Sequence, residues 1–190
     1  VEAHPDQFLF ASHLCQQGFA PQAAHHFPFN VSYGYHFDAV LLGKFLKKKA
    51  RERGVTHIEG TVAAVEQHPN GDISRLVTKD GRAIDADFFV DCSGFQAVLI
   101  QQCLKEPFIS FGNNLLNDSA VVMPTPATHQ VNSQTIATAL KAGWAWDIPL
   151  TNRTGNGYVF SSAFCSNDQA ETELRTKLGV LDSSDPVRFL

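Results

Sequence analysis

The stretch Asp91-Cys92-Ser93-Gly94-Phe95 closes an apolar run with residues that chemistry could use. A Ser at a sharp strand-to-helix turn is the setting of a hydrolytic nucleophile. That turn needs small residues on both sides of the Ser, and Asp91 stands upstream, which argues against it. Gly94 supports a different chemistry, because a residue without Cβ lets the backbone approach a flat or anionic ligand closely, as at dinucleotide sites. A turn that is only structural accounts for the same residues and is the simpler reading. Gly143-Trp144-Ala145-Trp146-Asp147-Ile148-Pro149 holds both tryptophans of the chain. Two apart on a strand, they share one face and form a pair of aromatic plates. They read either as a core cluster, which the residues alone favour, or as a wall beside a ligand. The eight His form no metal constellation: His25 and His26 are adjacent, and no H-E-x-x-H occurs. His36 reads as a structural histidine that hydrogen-bonds or packs. No G-x-G-x-x-G is present, since Gly155-Asn156-Gly157 runs into Tyr158-Val159-Phe160 and opens a strand instead of a helix.

The elements that must position these residues follow from spacing. A short helix is expected over Asp6–Gln17, among the breakers Pro5, Pro21 and Pro28. Asp38 is placed to cap a helix over Ala39–Arg53, with Leu41, Leu42, Phe45 and Leu46 as its apolar stripe and Gly54 as its stop. Lys47, Lys48, Lys49, Arg51 and Arg53 suit the negative end of that helix dipole and read as a solvated face. From Val55 the period becomes two. Strands are expected at Val55–Ile58, Thr61–Gln67, Asp72–Lys79 and Arg82–Ile84, with turns at Asn70-Gly71 and Asp80-Gly81. Asp87–Cys92 reads as a fully buried strand and Phe95–Cys103 as a short helix. Further strands are expected at Asp118–Met123, Gln134–Leu140, Trp144–Ile148 and Tyr158–Ser162. Ser166 to Gln169 then forms a capping box for a helix with Ala170, Leu174 and Leu178 inward, ended by Gly179. The order indicates an α/β or α+β sheet, not a bundle or sandwich, and no internal repeat is present.

Composition narrows the class. Lys+Arg 15 against Asp+Glu 19 gives a net charge of −4, which argues against a nucleic-acid protein. At 44% hydrophobic and 18% charged, the 190 residues are globular in character and enough to bury a core. No apolar run approaches the roughly 18 residues of a membrane helix, and no secretory pattern opens the chain, so a cytoplasmic location is expected. Cys15, Cys92, Cys103 and Cys165 lie far apart without C-x-x-C, which points away from zinc and from a dense disulfide framework. The single Met is residue 123 and the first residue is Val1, so the chain is expected to be a segment of something longer.

Trp144-x-Trp146-x-Ile148-Pro149 resembles the W-x-W-x-I-P signature of flavin-dependent halogenases of the tryptophan-halogenase type. Other blocks resemble the family in the same order: Tyr35-His36-Phe37-Asp38-Ala39, Asp87 to Phe95, Asn117-Asp118-Ser119-Ala120, and Arg153-Thr154-Gly155-Asn156-Gly157-Tyr158-Val159-Phe160-Ser161-Ser162. The resemblance runs from about Phe8 to the end of the sequence. It implies part of a flavin-monooxygenase-like FAD-binding fold with an attached substrate-region sheet. The implied segments are a partial substrate region at 1–34, a partial FAD-binding domain at 35–106 and a substrate-region sheet at 107–190. Such enzymes use reduced FAD, supplied by a separate flavin reductase, with O2 and a halide to halogenate a small aromatic substrate, commonly an indole. On this pattern the backbone of Val62 would meet the adenine end of FAD, and Ser93 and Gly94 would approach the cofactor. Trp144, Trp146, Ile148 and Pro149 would form the barrier between flavin and substrate, which agrees with the physical reading that such a wall keeps the two chemistries apart.

The sequence also departs from the family. The family's phosphate-binding glycine loop and catalytic Lys are absent, and none of Lys44, Lys47, Lys48 or Lys49 stands in that context. The motif carrying its catalytic Glu is expected beyond Leu190, so no catalytic residue and no metal ligand is assigned here. On its own the chain is expected neither to bind FAD tightly nor to halogenate. The alternatives are a related flavin-dependent monooxygenase, or a non-catalytic α+β module that binds a partner or a small aromatic ligand.

Overall fold

The computed structural model describes residues 5–19, 25–28, 31–129 and 131–190, so Pro21 lies outside the described residues. The chain groups into two compact units, Val1–Gly43 with Gly112–Leu190, and Lys44–Phe111. Residues 1–34 and 112–190 share one unit, while 107–111 and 35–43 fall across the expected boundaries.

A short 3-10 turn at Pro5–Phe8 leads into helix α1, Phe10–Gln16, which ends at Gly18 with φ +71°. Helix α2 covers Ala39–Glu52. Its first free amides are met as the sequence dictates: Val40 N–H and Leu41 N–H donate to Asp38 Oδ1 at 2.9 and 3.1 Å. Gly54, at φ +86°, ends it. The apolar stripe forms but is not covered, and Leu41, Phe45 and Leu46 stay more than half exposed.

In the Lys44–Phe111 unit, β1 (Val62–Gln67), β2 (Ile73–Thr78) and β3 (Ala83–Asp85) form an antiparallel meander. Its turns are the expected ones, with Gly71 and Gly81 at φ +94° and +83°. Two expected strands do not form. Val55–Ile58 and Asp87–Cys92 belong to no ladder, and Phe88 and Val90 are 82% and 72% exposed. Alternating apolar residues make a segment extended, but a strand exists only where a neighbour completes its N–H and C=O bonds, and no described strand pairs with either segment. The expected Phe95–Cys103 helix is also altered. A 3-10 turn at Gly94–Gln96 is followed by a wide turn at Val98–Cys103, with Gln102 N–H on Ala97 O and Leu104 N–H on Leu99 O. Ala97, at φ +44°, interrupts what would otherwise be one α-helix.

In the other unit, β4 (Ser119–Val122), β5 (Thr125–Pro126), β6 (Ile136–Leu140), β7 (Gly143–Pro149) and β8 (Arg153–Phe160) precede helix α3 (Asn167–Leu178) and β9 (Arg188–Phe189). The antiparallel sheet runs β6-β7-β8-β4-β9, with β5 also on β8. Gly155-Asn156-Gly157 lies inside β8 instead of opening a strand. The buried Asn156 amide there donates to Met123 O at 3.2 Å and Thr125 Oγ1 at 2.9 Å, joining β8 to the chain after β4.

Register fixes two faces of this sheet. Ala145 lies opposite Tyr158, and Tyr158 opposite Val121, so these side chains form one row across three strands. With Phe160, Met123 and Cys165 they meet Ala170 and Leu174 of α3. Burying each large apolar side chain here contributes about 1.5–3 kcal/mol. Ser166 and Gln169 close α3 with a full capping box. Asp147 points to the same face and pairs with Lys177 of α3. The architecture is α+β. Among the described residues no helix is long and apolar enough to cross a membrane.

Candidate functional site

The face opposite α3 carries Trp144, Trp146 and Ile148, because Ala145 and Asp147 between them face the helix. The two indoles lie with centroids 6.0 Å apart and planes tilted by 55°. Their neighbours across the ladders are small: Ala139 and Ala137 on β6, Val159 and Gly157 on β8. A Cβ on Gly157 would stand 2.2 Å from the Trp146 ring, so that ring occupies the space above the glycine. Trp144 remains 42% exposed, which gives the pair an open face.

A short segment ahead of α2 holds the end of this hairpin. His36 Nδ1 lies 3.0 Å from Pro149 O and therefore carries the proton, since a carbonyl only accepts. Its Nε2 lies 3.1 Å from Thr135 Oγ1. The expected structural histidine is thus satisfied at both nitrogens. Asp38, besides capping α2, receives Arg153 at Oδ2 at 3.4 Å. Bonds from Leu41 N–H, then from Asn152, Val40 N–H and Arg153, hold its carboxyl below the ordinary aspartate range. Asp118 does comparable work at the far end of β8, accepting Ser162 N–H at 2.8 Å and the Ser162 hydroxyl at 2.6 Å.

Val62 and Ser93 meet within the Lys44–Phe111 unit. They line one cavity of about 350 Å³ together with Gly60, Thr61, Asp91 and Gln96. The ladder slips beside Val62, which opposes Thr78 while Ala64 opposes Val77, so Ala63 has no rung of its own. Gly94 is not part of that lining; at φ +65°, with nothing within 4 Å of a would-be Cβ, it serves the turn.

Asp91 organises that turn, a role the sequence did not suggest. Its Oδ1 accepts the Ser93 N–H at 3.0 Å and the Ser93 hydroxyl at 2.6 Å; its Oδ2 accepts the N–H groups of Leu99 at 2.8 Å and Ile100 at 3.0 Å. Ser93 Oγ in turn accepts the N–H of Val98 at 2.9 Å. The Ser93 hydroxyl, followed by these backbone bonds, lowers the Asp91 carboxyl to about 2. The Ser93 oxygen is thereby fixed by an acid and an amide, with no histidine base among its partners, and is not an activated nucleophile. The signal available in the sequence was Asp-x-Ser at the mouth of a helical turn, an Asx turn whose carboxylate can reach the first free amides.

Fold and site define an α+β protein that carries a paired tryptophan face on one unit and a cavity lined by Val62 and Ser93 on the other. A model of the tryptophan halogenase family matches residues 5–190, and the chain belongs to that family. It is 45% identical over 147 residues to tryptophan 7-halogenase RebH of Lentzea aerocolonigenes, covering 75% of this chain and 28% of that protein. It is 44% identical over 150 residues to tryptophan 6-halogenase SttH of Streptomyces toxytricini, covering 77% and 29%. Among solved structures, SttH superposes with a TM-score of 0.86 at 35% identity over 95% of this chain and 39% of that one. BrvH, a flavin-dependent halogenase from Brevundimonas sp. BAL3, does so with a TM-score of 0.87 at 33% identity over 100% and 40%. The chain thus spans under a third of the length of these curated relatives.

Proposed function

We propose that this chain is a portion of a flavin-dependent halogenase acting on a tryptophan-type indole. The observation that carries this reading is the Trp144/Trp146 pair, side by side on one face of β7 with Trp146 over Gly157, in a chain of the tryptophan halogenase family. The names of the relatives, RebH and SttH, supply the tryptophan substrate.

The residues present fit a flavin nucleotide in one specific respect. Val62, beside the slip in its ladder, lines one cavity with Ser93, Gly60 and Thr61, and a peptide N–H or C=O there suits the edge of a purine ring. When bound, the flavin supplies the oxidation of halide by O2. Val62 and Ser93 would hold part of it, with the Ser93–Gly94 turn kept in shape by Asp91. Trp144 and Trp146 would separate it from the substrate, excluding direct contact and water, with Ile148 and Pro149 completing the barrier. A separate flavin reductase would supply the reduced cofactor.

The test is product analysis by mass spectrometry. The polypeptide from the complete reading frame is supplied with reduced FAD, bromide or chloride, O2 and tryptophan. Halogenated tryptophan is expected, and Trp146→Ala should lower its yield. Hydroxylated tryptophan without halogenated product would replace this reading with the monooxygenase one. Absence of either product from a panel of indoles would favour a binding module.

A further inference from the structure

The β6–β7 ladder stops one residue beyond Trp146. Its last pair is Ile136 with Asp147, and neither Ile148 nor Pro149 has a partner on β6. Pro149 has no N–H and can offer only its carbonyl. The imidazole of His36 fills the missing rung: Nδ1–H donates to Pro149 O at 3.0 Å, and Nε2 meets Thr135 Oγ1, just before β6, at 3.1 Å. A side chain distant in sequence therefore bridges the β6-facing edge of β7, whose other edge stays paired with β8 through Ile148–Gly155 and Pro149–Thr154. Asp38, two residues on, holds Arg153 on the other side of the same hairpin turn.

We infer that His36 is a positioning residue for the indole pair, a side-chain rung that holds the end of β7 and thereby sets the tilt between Trp146 and Trp144. The inference rests on the reading of the pair as the flavin–substrate barrier, because only then does its tilt bear on the reaction. With the rung lost, β7 beyond Asp147, the residue next to Trp146, is held by its pairs with β8 alone, Ile148 with Gly155 and Pro149 with Thr154, and its edge toward β6 is free to move. The Arg153–Asp38 contact alone reaches β8, not the Pro149 carbonyl.

The pair reports on itself, since these are the only two tryptophans in the chain. Circular dichroism at the long-wavelength edge of the near ultraviolet, beyond tyrosine absorption, and fluorescence excited there therefore read these two indoles. In the 190-residue chain, His36→Ala is expected to weaken the coupled band and shift the emission to the red, with far-ultraviolet dichroism unchanged. His36→Asn keeps a donor at the Nδ1 position and is expected to restore both signals. His36→Gln reaches toward Thr135 instead and is expected to leave them lost. If His36→Ala does not fold, the Asn and Gln variants still decide. Unaltered indole signals in a folded His36→Ala chain would overturn the inference, as would rescue by Gln and not by Asn. None of these readings depends on halogenation, so failure of the enzymatic assay leaves this test intact, and failure here leaves the halogenase reading standing.

Discussion

Trp146 and Gly157 are paired across β7 and β8, and the indole lies where a methyl group on Gly157 would have to stand, 2.2 Å from its position. The glycine is therefore required by the ring above it and by no turn. Gly157→Ala is expected to destabilise the fold by about 1–3 kcal/mol through overpacking. Trp146→Ala removes the obstacle, so the double variant should be more stable than the sum of the two single effects implies. Chemical denaturation of the four proteins checks this; strict additivity would show that ring and glycine do not meet.

That contact marks the limit of what was legible in the sequence. The shared face of Trp144 and Trp146 followed from their spacing, as did the Asp38 and Ser166 caps and the Asn70-Gly71 and Asp80-Gly81 turns, because each depends on residues close in the chain. The role of Gly157 depends on a partner eleven positions earlier, in register across a ladder, so Gly155-Asn156-Gly157 read as the opening of a strand when it is the middle of one. The His36–Pro149 bond, 113 residues apart, left no trace in the spacing. Asp87–Cys92 failed for the opposite reason. Its composition is that of a buried strand, yet a buried strand needs strands beside it, and among the described residues none pairs with it on either side. β5 and β9 are two residues each, too short for any periodicity.

Asp91 makes the turn at Ser93 sensitive to acid. Its carboxyl titrates near 2 in the fold against an ordinary 3.8, so it favours the folded state fully above the ordinary value and loses that contribution as pH falls toward 2. Asp91→Asn removes the charge and one acceptor. The expected result is a lower Tm at neutral pH and a shallower fall in Tm between pH 4 and pH 2 than in the wild-type chain, measured by a series of thermal scans. Parallel curves for the two proteins would show that the Asp91 bonds contribute nothing to folding.

Tyr158 gives the alkaline counterpart. It is fully buried beneath α3, its hydroxyl accepts the Ala142 N–H at 3.0 Å, and burial foremost, with Glu173 nearby, pushes its pKa to about 12. The folded state therefore keeps the phenol protonated where the unfolded chain releases the proton. This contribution to stability is complete below pH 10 and declines as pH rises toward 12. Ultraviolet titration should show a tyrosine that ionises only near that upper value or on unfolding. Tyr158→Phe should flatten the alkaline loss of Tm, at the cost of about 1 kcal/mol at neutral pH for the lost hydrogen bond. A titration in which Tyr158 ionises at the ordinary tyrosine value in the folded chain would contradict the burial.

Gly94 separates conformational need from spatial need. Its φ of +65° lies in the left-handed region, while a Cβ built on it meets nothing within 4 Å. The cost of a side chain is thus a backbone cost alone. Gly94→Ala is expected to lower stability by about 1 kcal/mol, and Gly94→Asn by less, because Asn tolerates that conformation better than other side chains. With Asp91 still holding Ser93 and the amides of Leu99 and Ile100, the turn should keep its shape in both. Denaturation curves for the two variants give the answer directly. If neither Ala nor Asn lowers stability, then φ is not what selects glycine here.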